Sequence, residues 1–550
     1  MGNLRKYYLI ILVFLFAESN FAQQLNLPLN RLFNLGFQNH FSTDDSLTFH
    51  SSMKPIIENK NSGVTYEKFI EYNTTDVTKH FAWLLPDKNW LKKKAKWQHL
   101  YEVKDKDFSF NINPVFNFEY GRDLANDNSK KFFTNSRGVM ANVNLGDKIS
   151  FSSSFYENQS RVPQYLRNYI NQNGELRAGP NGHYYTLSGF GTFPGQGRTK
   201  PFKTDGFDYA WASGYVSYSA SKNFNLQFGH DKHFIGEGYR SVLLSDNAFN
   251  YPFLKLTTKW LKGRIQYTSI YASLNQLKRL EHFTTPEAGY FRKSASFHFV
   301  NFLIGRKLEI GIFESTIWQK MRNERIIETD YSQFNPLIGI NSVRFGFIDT
   351  NNVMLGLNFK FQPFKKFNVY GQIAVDDPSK NRLAYQLGVK WFEPFKIKRF
   401  LLQGEINHAE KYMYAIENTL QNYAHYNQPL AHPLGAGFWE FLTIGNYRYD
   451  DWFLEARLSY ATFKVYSGDS QYETDVFANP LLEVHSSVVE AQSKLFYHDL
   501  KGGYIFNPKT NLCFILGWMH RKFITFDEPA KTSYLYFGLR TTLFNSYYDI

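Results

Sequence analysis

The chain has 550 residues, of which 18% are aromatic, with 54 Phe and 37 Tyr, yet its mean hydropathy is −0.42. One cysteine, Cys513, excludes an intramolecular disulfide framework and any cysteine-rich metal site, and no motif calls for a cofactor. A formal net charge of +13 favours acidic partners, such as anionic lipid headgroups or acidic polysaccharide, and nucleic acid is not expected as a partner of an exported chain.

The first residues, MGNLRKYYLIILVFLFAESNFAQQ, read as a secretory signal peptide. Arg5 and Lys6 precede an apolar run from Tyr7 to Ala17, and the small residue Ala22 marks the expected cleavage point, so residues 1–22 are expected to be removed on export. No later stretch of about 18 consecutive apolar residues offers a transmembrane helix, which leaves a soluble protein or a barrel. Aromatic excess without apolar runs suits the girdles of a barrel.

Residues 23–106 are expected to form an N-terminal periplasmic segment with short helices. Within it, PDKNWLKKKAKWQHLY sets Trp90, Trp97 and Tyr101 at near-helical spacing among Lys92, Lys93, Lys94 and Lys96, with Asp87 as a candidate cap. Such a basic amphipathic helix either lies against the inner leaflet, plugs a barrel mouth, or packs on a small domain of its own.

From residue 107 to 550 the period is two. DFSFNINPVFNFEY puts Phe108, Phe110, Ile112, Phe116, Phe118 and Tyr120 on one face, and the pattern returns at Leu355, Leu357 and Phe359, at Tyr385, Leu387 and Trp391, at Trp452, Leu454 and Leu458, and at Leu535, Phe537, Leu539 and Leu543. Short turns, such as GDK at 146–148, GRK at 305–307 and YDD at 449–451, alternate with long connections, such as 158–205, 232–251, 319–350, 410–436 and 466–496. A soluble sandwich explains alternation within strands but not alternation of loop lengths. The expectation is an all-β fold, an outer-membrane antiparallel barrel of about 18 strands with short periplasmic turns and long extracellular loops.

Chemistry concentrates in GHDKHFIGEGYRSVLLSDNAFNYPFLKL, residues 229–256, which falls in one of the long connections. It is not a phosphate loop, because no βαβ unit surrounds it. His230 and His233 have a weak metal spacing but point to different sides of an extended strand, and no metal site is expected. No local arrangement singles out a catalytic Ser or Cys with its base, so no catalytic residue is expected. Two readings stay open. The first is a surface-glycan site using His233, Glu237, Tyr239, Arg240, Asp246 and Asn247, joined from a second long connection, NQPLAHPLGAGFWE, by His432, Trp439 and Glu440. The second is an inward-folded loop whose charges satisfy one another. A third connection, SGFGTFPGQGRTKPFKTDGFDYAW, adds Arg198, Lys200 and Lys203 to a basic, aromatic outer face.

Those two segments, GHDKHFIGEGYRSVLLSDNAFNYPFLKL and NQPLAHPLGAGFWE, inside a barrel of this size, resemble the Wzi-like outer-membrane capsule assembly family, in look its Bacteroidetes branch, which includes RemB-type gliding motility proteins. The C-terminal GLRTTLFNSYYDI and the NFAQQ cleavage region are similar to outer-membrane proteins of that phylum. The resemblance implies a non-enzymatic cell-surface barrel of the outer membrane, a glycan or adhesin partner, and a place beside capsule or motility machinery; it carries over no individual contact residue. A porin or transporter is the alternative, and an outer-membrane enzyme a third class.

Overall fold

The computed structural model describes residues 25–43, 49–58, 64–73, 89–126, 131–179, 183–281, 289–322, 325–328, 330–347, 351–467, 472–481, 488–526, 528–541 and 544–550. The signal peptide, Asp87 and Leu543 lie outside them. Eighteen strands build one wall: β1 (Phe108–Asp123), β2 (Lys131–Leu145), β3 (Ile149–Arg161), β4 (Gly206–Ser221), β5 (Phe224–Asp231), β6 (Tyr251–Trp260), β7 (Ile265–Arg279), β8 (Tyr290–Ile304), β9 (Leu308–Gln319), β10 (Asn352–Phe364), β11 (Phe367–Asp377), β12 (Arg382–Phe392), β13 (Phe400–Ala409), β14 (Phe438–Tyr449), β15 (Trp452–Tyr466), β16 (Glu490–Asn507), β17 (Leu512–Thr525) and β18 (Glu528–Arg540). Each pairs antiparallel with the next, and β18 returns to β1 in the register Asn117↔Arg540 to Asp123↔Tyr534, so the sheet is closed. Closure removes the unpaired strand edges that a hydrocarbon layer would not tolerate.

The two-residue period sets the wall's polarity. Phe118, Tyr120, Leu357, Leu387, Leu454, Leu458, Leu535 and Phe537 point outward and are exposed, whereas their neighbours Asn358, Gln386, Glu455 and Ser459 are buried in the lumen. An apolar, exposed outer belt around a polar interior is the inverse of a soluble protein, and it fits a wall that spans a membrane. One rim carries the short turns and the other the long connections, apart from two tight turns on the long-connection rim: the one after Asp377, whose side chain accepts from the backbone N–H of Ser379, and the one between Thr525 and Glu528, which pair directly across it where the sequence suggests a longer connection over 522–532.

The lumen is packed rather than open. Three pieces enter it. Helix α1 (Arg31–Ser42) and residues 49–58 form the first: Arg31 reaches Glu455 at 3.3 Å, Ser52 donates its N–H to Glu309 at 3.1 Å, and Met53–Lys54 pairs with Phe234–Ile235. The connection 232–250 is the second, and residues 544–550 are the third. Part of the expected periplasmic segment is therefore a plug inside the barrel. Helices α2 (Tyr66–Asn73) and α3 (Trp90–Lys96) stay at the short-turn rim, where Tyr66 donates to the carbonyl of Lys509 and Asn507 donates to that of Lys94. Asn89 caps α3, its side chain accepting from the N–H of Leu91.

Candidate functional site

Eight of the nine residues that the sequence nominates for a glycan site come together, but inside the lumen, where none is more than 4% exposed. Arg240 forks onto Glu440, Nη2 to Oε1 at 2.9 Å and Nε to Oε2 at 3.2 Å, and meets Asp549 at 3.2 Å; its own N–H donates to Glu405. His432 Nε2 lies 2.8 Å from Glu440 Oε2. Tyr239 donates to Asp549 at 2.9 Å, and the guanidinium groups of Arg31, Arg240 and Arg457 all lie close to its ring. Glu237 accepts from Ser51 and sits 3.9 Å from both Lys360 and Lys390. Asp246 accepts from Tyr547 at 2.7 Å and Asn545 at 2.9 Å, Asn247 donates to the carbonyl of Pro429, and His233 Nδ1 faces the hydroxyl of Tyr251.

Charge thus answers charge across four chain segments, the pattern of the inward-folded reading. The connection that looks like a surface loop in the sequence is lumen filling. Gly236 has φ +126°, and a Cβ there would fall 2.4 Å from the Gln372 amide, so the bend needs glycine. Trp439 parts from the rest: adjacent to Glu440 on β14, it points the other way, is 41% exposed on the outer wall, and packs on His408 with ring centroids 4.2 Å apart.

The exposed chemistry lies on the long-loop rim, above β3, β7 and β8. Here residues 162–179 and 183–205 fold over the barrel. Helix α4 (Gln164–Gln172) buries Leu166 and Ile170, which join a cluster with Phe193, Tyr209 and Trp211. After it, a small hairpin pairs Glu175–Ala178 with Tyr184–Leu187 and leans on β7 through Leu176 and Lys278. Glu175 is fully buried at its base and accepts from Arg279 at 2.8 Å, Arg177 at 2.8 Å, Arg198 at 3.2 Å and the hydroxyl of Tyr290 at 2.5 Å. Burial alone would raise its pKa; the hydrogen bonds from Arg279, Tyr290 and Arg177 and the charge of Arg198 outweigh it and hold the carboxyl at about 2, below the ordinary 4.5.

Around this anchor the surface is aromatic and basic. Tyr184 and Tyr185 are 38% and 49% exposed, the Lys278 ammonium lies 4.0 Å above the Tyr184 ring, Arg177 keeps 40% of its side chain exposed, and Lys200 and Lys203 are exposed farther along the same connection, where Lys200–Phe202 pairs with the start of β4. Flat rings suit sugar C–H faces, and a guanidinium suits carboxylates. Sequence reasoning reached Arg198, Lys200 and Lys203 but missed Glu175, Arg177, Tyr184, Tyr185, Lys278, Arg279 and Tyr290. The Asn181-Gly182 pair between two short runs was the available hairpin signal.

Because a depressed carboxyl stabilises the state in which it is ionised, the Glu175 anchor contributes fully above about 4.5 and is lost as pH falls from there toward 2. Proteolysis of the segment 162–205 in the solubilised barrel should therefore be slow at about pH 6 and accelerate at about pH 3. An unchanged rate would mean that Glu175 does not hold the hairpin.

No family model matches the chain, and no curated protein does. Solved structures do. Wzi of Escherichia coli, described as an outer membrane protein involved in group 1 capsule assembly and a carbohydrate-binding β-barrel, is 13% identical, covers 94% of this chain over 99% of its own length, and gives a TM-score of 0.55. OprD of Pseudomonas aeruginosa (9% identical, 81% of this chain, 96% of its own, TM-score 0.40) and OccAB2 of Acinetobacter baumannii (11%, 78%, 97%, 0.38) are also similar. At these identities the likeness to Wzi concerns the fold, an 18-stranded barrel.

Proposed function

We propose that this protein is a non-enzymatic outer-membrane barrel that holds an acidic surface polysaccharide at its long-loop rim, with that rim extracellular. The observation that carries the reading is the exposed face of Arg177, Tyr184, Tyr185 and Lys278, built on a buried carboxylate above a filled lumen. The fold shared with a carbohydrate-binding barrel supports it. A surplus of basic side chains makes the attraction long-ranged at low salt.

Arg177→Ala combined with Tyr185→Ala should weaken retention of an acidic polysaccharide about tenfold or more, since each removes a charge-assisted or stacking contact worth about a kcal/mol or more, while the barrel's heat-modifiable migration stays unchanged. Raising salt should weaken the wild type toward the variant. Equal retention by both proteins would overturn the reading. The porin alternative meets a lumen occupied by α1, the connection 232–250 and residues 544–550, and steady conductance in a planar bilayer is the result that would favour it. A part in gliding rests on the segment resemblance alone; surface spreading of cells carrying the double variant is its readout.

A further inference from the structure

The outward apolar alternation fails in one sector. On β7, β8 and β9 the positions facing away from the lumen carry Ser269, Ser296, His298, Glu314 and Thr316, and all five are buried. Directly beside them, Ile312 and Leu357 face each other across the β9–β10 register and are exposed like the rest of the belt. A bare carboxylate on the lipid side of a barrel is costly, so something must cover it.

The cover is residues 330–347 of the connection between β9 and β10. Instead of rising from the long-loop rim, it folds down the outside of the wall. Tyr271 donates to the carbonyl of Asn335 at 3.2 Å and Tyr267 to that of Pro336 at 2.6 Å, and Tyr267 stands close to the short-turn end of β7. Helix α5 (Ile340–Phe345) then lies against β9 and β10: Glu314 accepts from the N–H groups of Gly339 and Ser342, each at 2.8 Å, and from the Ser342 hydroxyl, while Phe345 meets Trp318 nearly edge-on.

What this segment turns away from the wall is apolar. Tyr331 is 83% exposed and Val343 89%, and Phe334, Leu337 and Ile340 are exposed with them. In water such a patch has no account. Beside Ile312 and Leu357 it continues the belt. We propose that residues 331–345 are a membrane-embedded strap whose partner is the hydrocarbon of lipid acyl chains, and which carries the apolar belt across a polar sector of the wall. The one charge within it, Arg344, is exposed with its guanidinium 5.0 Å from the Phe345 ring, on a stem long enough to reach toward headgroups. Glu328 and Asp330 precede the strap rather than interrupt it.

The inference rests on the wall spanning a membrane, so the test measures strap and wall together. The full chain, with Cys513→Ser, is reconstituted in phosphatidylcholine vesicles with a nitroxide at Val343→Cys, at Leu357→Cys on the wall, or at Tyr185→Cys on the rim. Labels at 343 and 357 should both collide with oxygen severalfold more, relative to a water-soluble nickel chelate, than the label at 185. A nickel-accessible label at 343 beside a protected one at 357 would put the segment in water and overturn the strap alone. A label at 343 shielded from both reagents would mean that a second copy or another protein covers it, which also overturns the proposal. If the label at 357 is itself nickel-accessible, the membrane-spanning reading and the strap fall together.

Discussion

Arg240→Ala should destabilise the assembled barrel by about 3–5 kcal/mol and leave glycan retention at the rim unchanged. Arg240 is 1% exposed and neutralises Glu440 and Asp549, so truncating it leaves two carboxylates buried beside one another, with Arg457 still paired to Asp549 but Glu440 left to hydrogen bonds with His432 and Asn407. The cost comes mainly from the stranded charges rather than from the lost bonds. Glu440→Gln added to Arg240→Ala should then recover part of the loss, because it removes one of the stranded charges. Arg240→Lys should fall between, since an ammonium keeps the charge but not the fork that holds both oxygens of Glu440. Loss of the heat-modifiable folded band at lower temperature, or a lower urea midpoint, reads the effect. An Arg240→Ala protein with wild-type stability and weakened glycan retention would restore the sequence's first candidate site and remove the rim from that role.

Leu357→Arg and Asn358→Arg should both be costly, for different reasons. Leu357 is half exposed in the middle of the outer belt, and an arginine there must be placed against hydrocarbon, at about 2–4 kcal/mol. From the sequence alone Asn358→Arg looks harmless, as a polar change facing a polar lumen. The lumen at that height is solid, however: Asn358 donates to Ser52 at 3.0 Å and accepts from Gln372 at 3.2 Å, and it is 1% exposed. An arginine at 358 overpacks this site and pushes out the chain around Ser52, at a cost of about 1–3 kcal/mol. Assembled yield in the membrane should fall for Leu357→Arg, whereas Asn358→Arg should assemble and expose residues 49–58 to protease. Protease resistance equal to wild type in Asn358→Arg would mean that the N-terminal segment is not held in the lumen.

The wall was legible because its cause is local. A residue on a strand faces one of two environments, and the alternation at Phe108–Tyr120, at Leu355–Phe359 and at Trp452–Tyr460 reports which side touches hydrocarbon without reference to any distant residue. Loop lengths added the orientation of the turns, and together they implied a closed barrel of about 18 strands, which the fold contains. The same local logic failed at Ser296, His298 and Glu314, where outward positions are polar because another part of the chain covers them.

The candidate site was legible only as composition. Arg240, Glu237 and Asp246 in a long connection give the same residue types whether the loop faces solvent or folds into the lumen. The difference is made by Glu405, Glu440, Asp549, Tyr547 and Arg31, which lie as many as 309 positions away in the chain. Trp439 shows the converse, for one step along β14 sends it to the opposite face from Glu440. Period, charge and turn spacing by themselves determined that this chain makes a polar-lined wall with an apolar outside. Only the tertiary structure decided that the lumen is filled, that the His233–Asn247 connection fills it, and that the exposed basic and aromatic face stands on Glu175 instead, because partners for buried charges are chosen by closure of the barrel and not by neighbours in sequence.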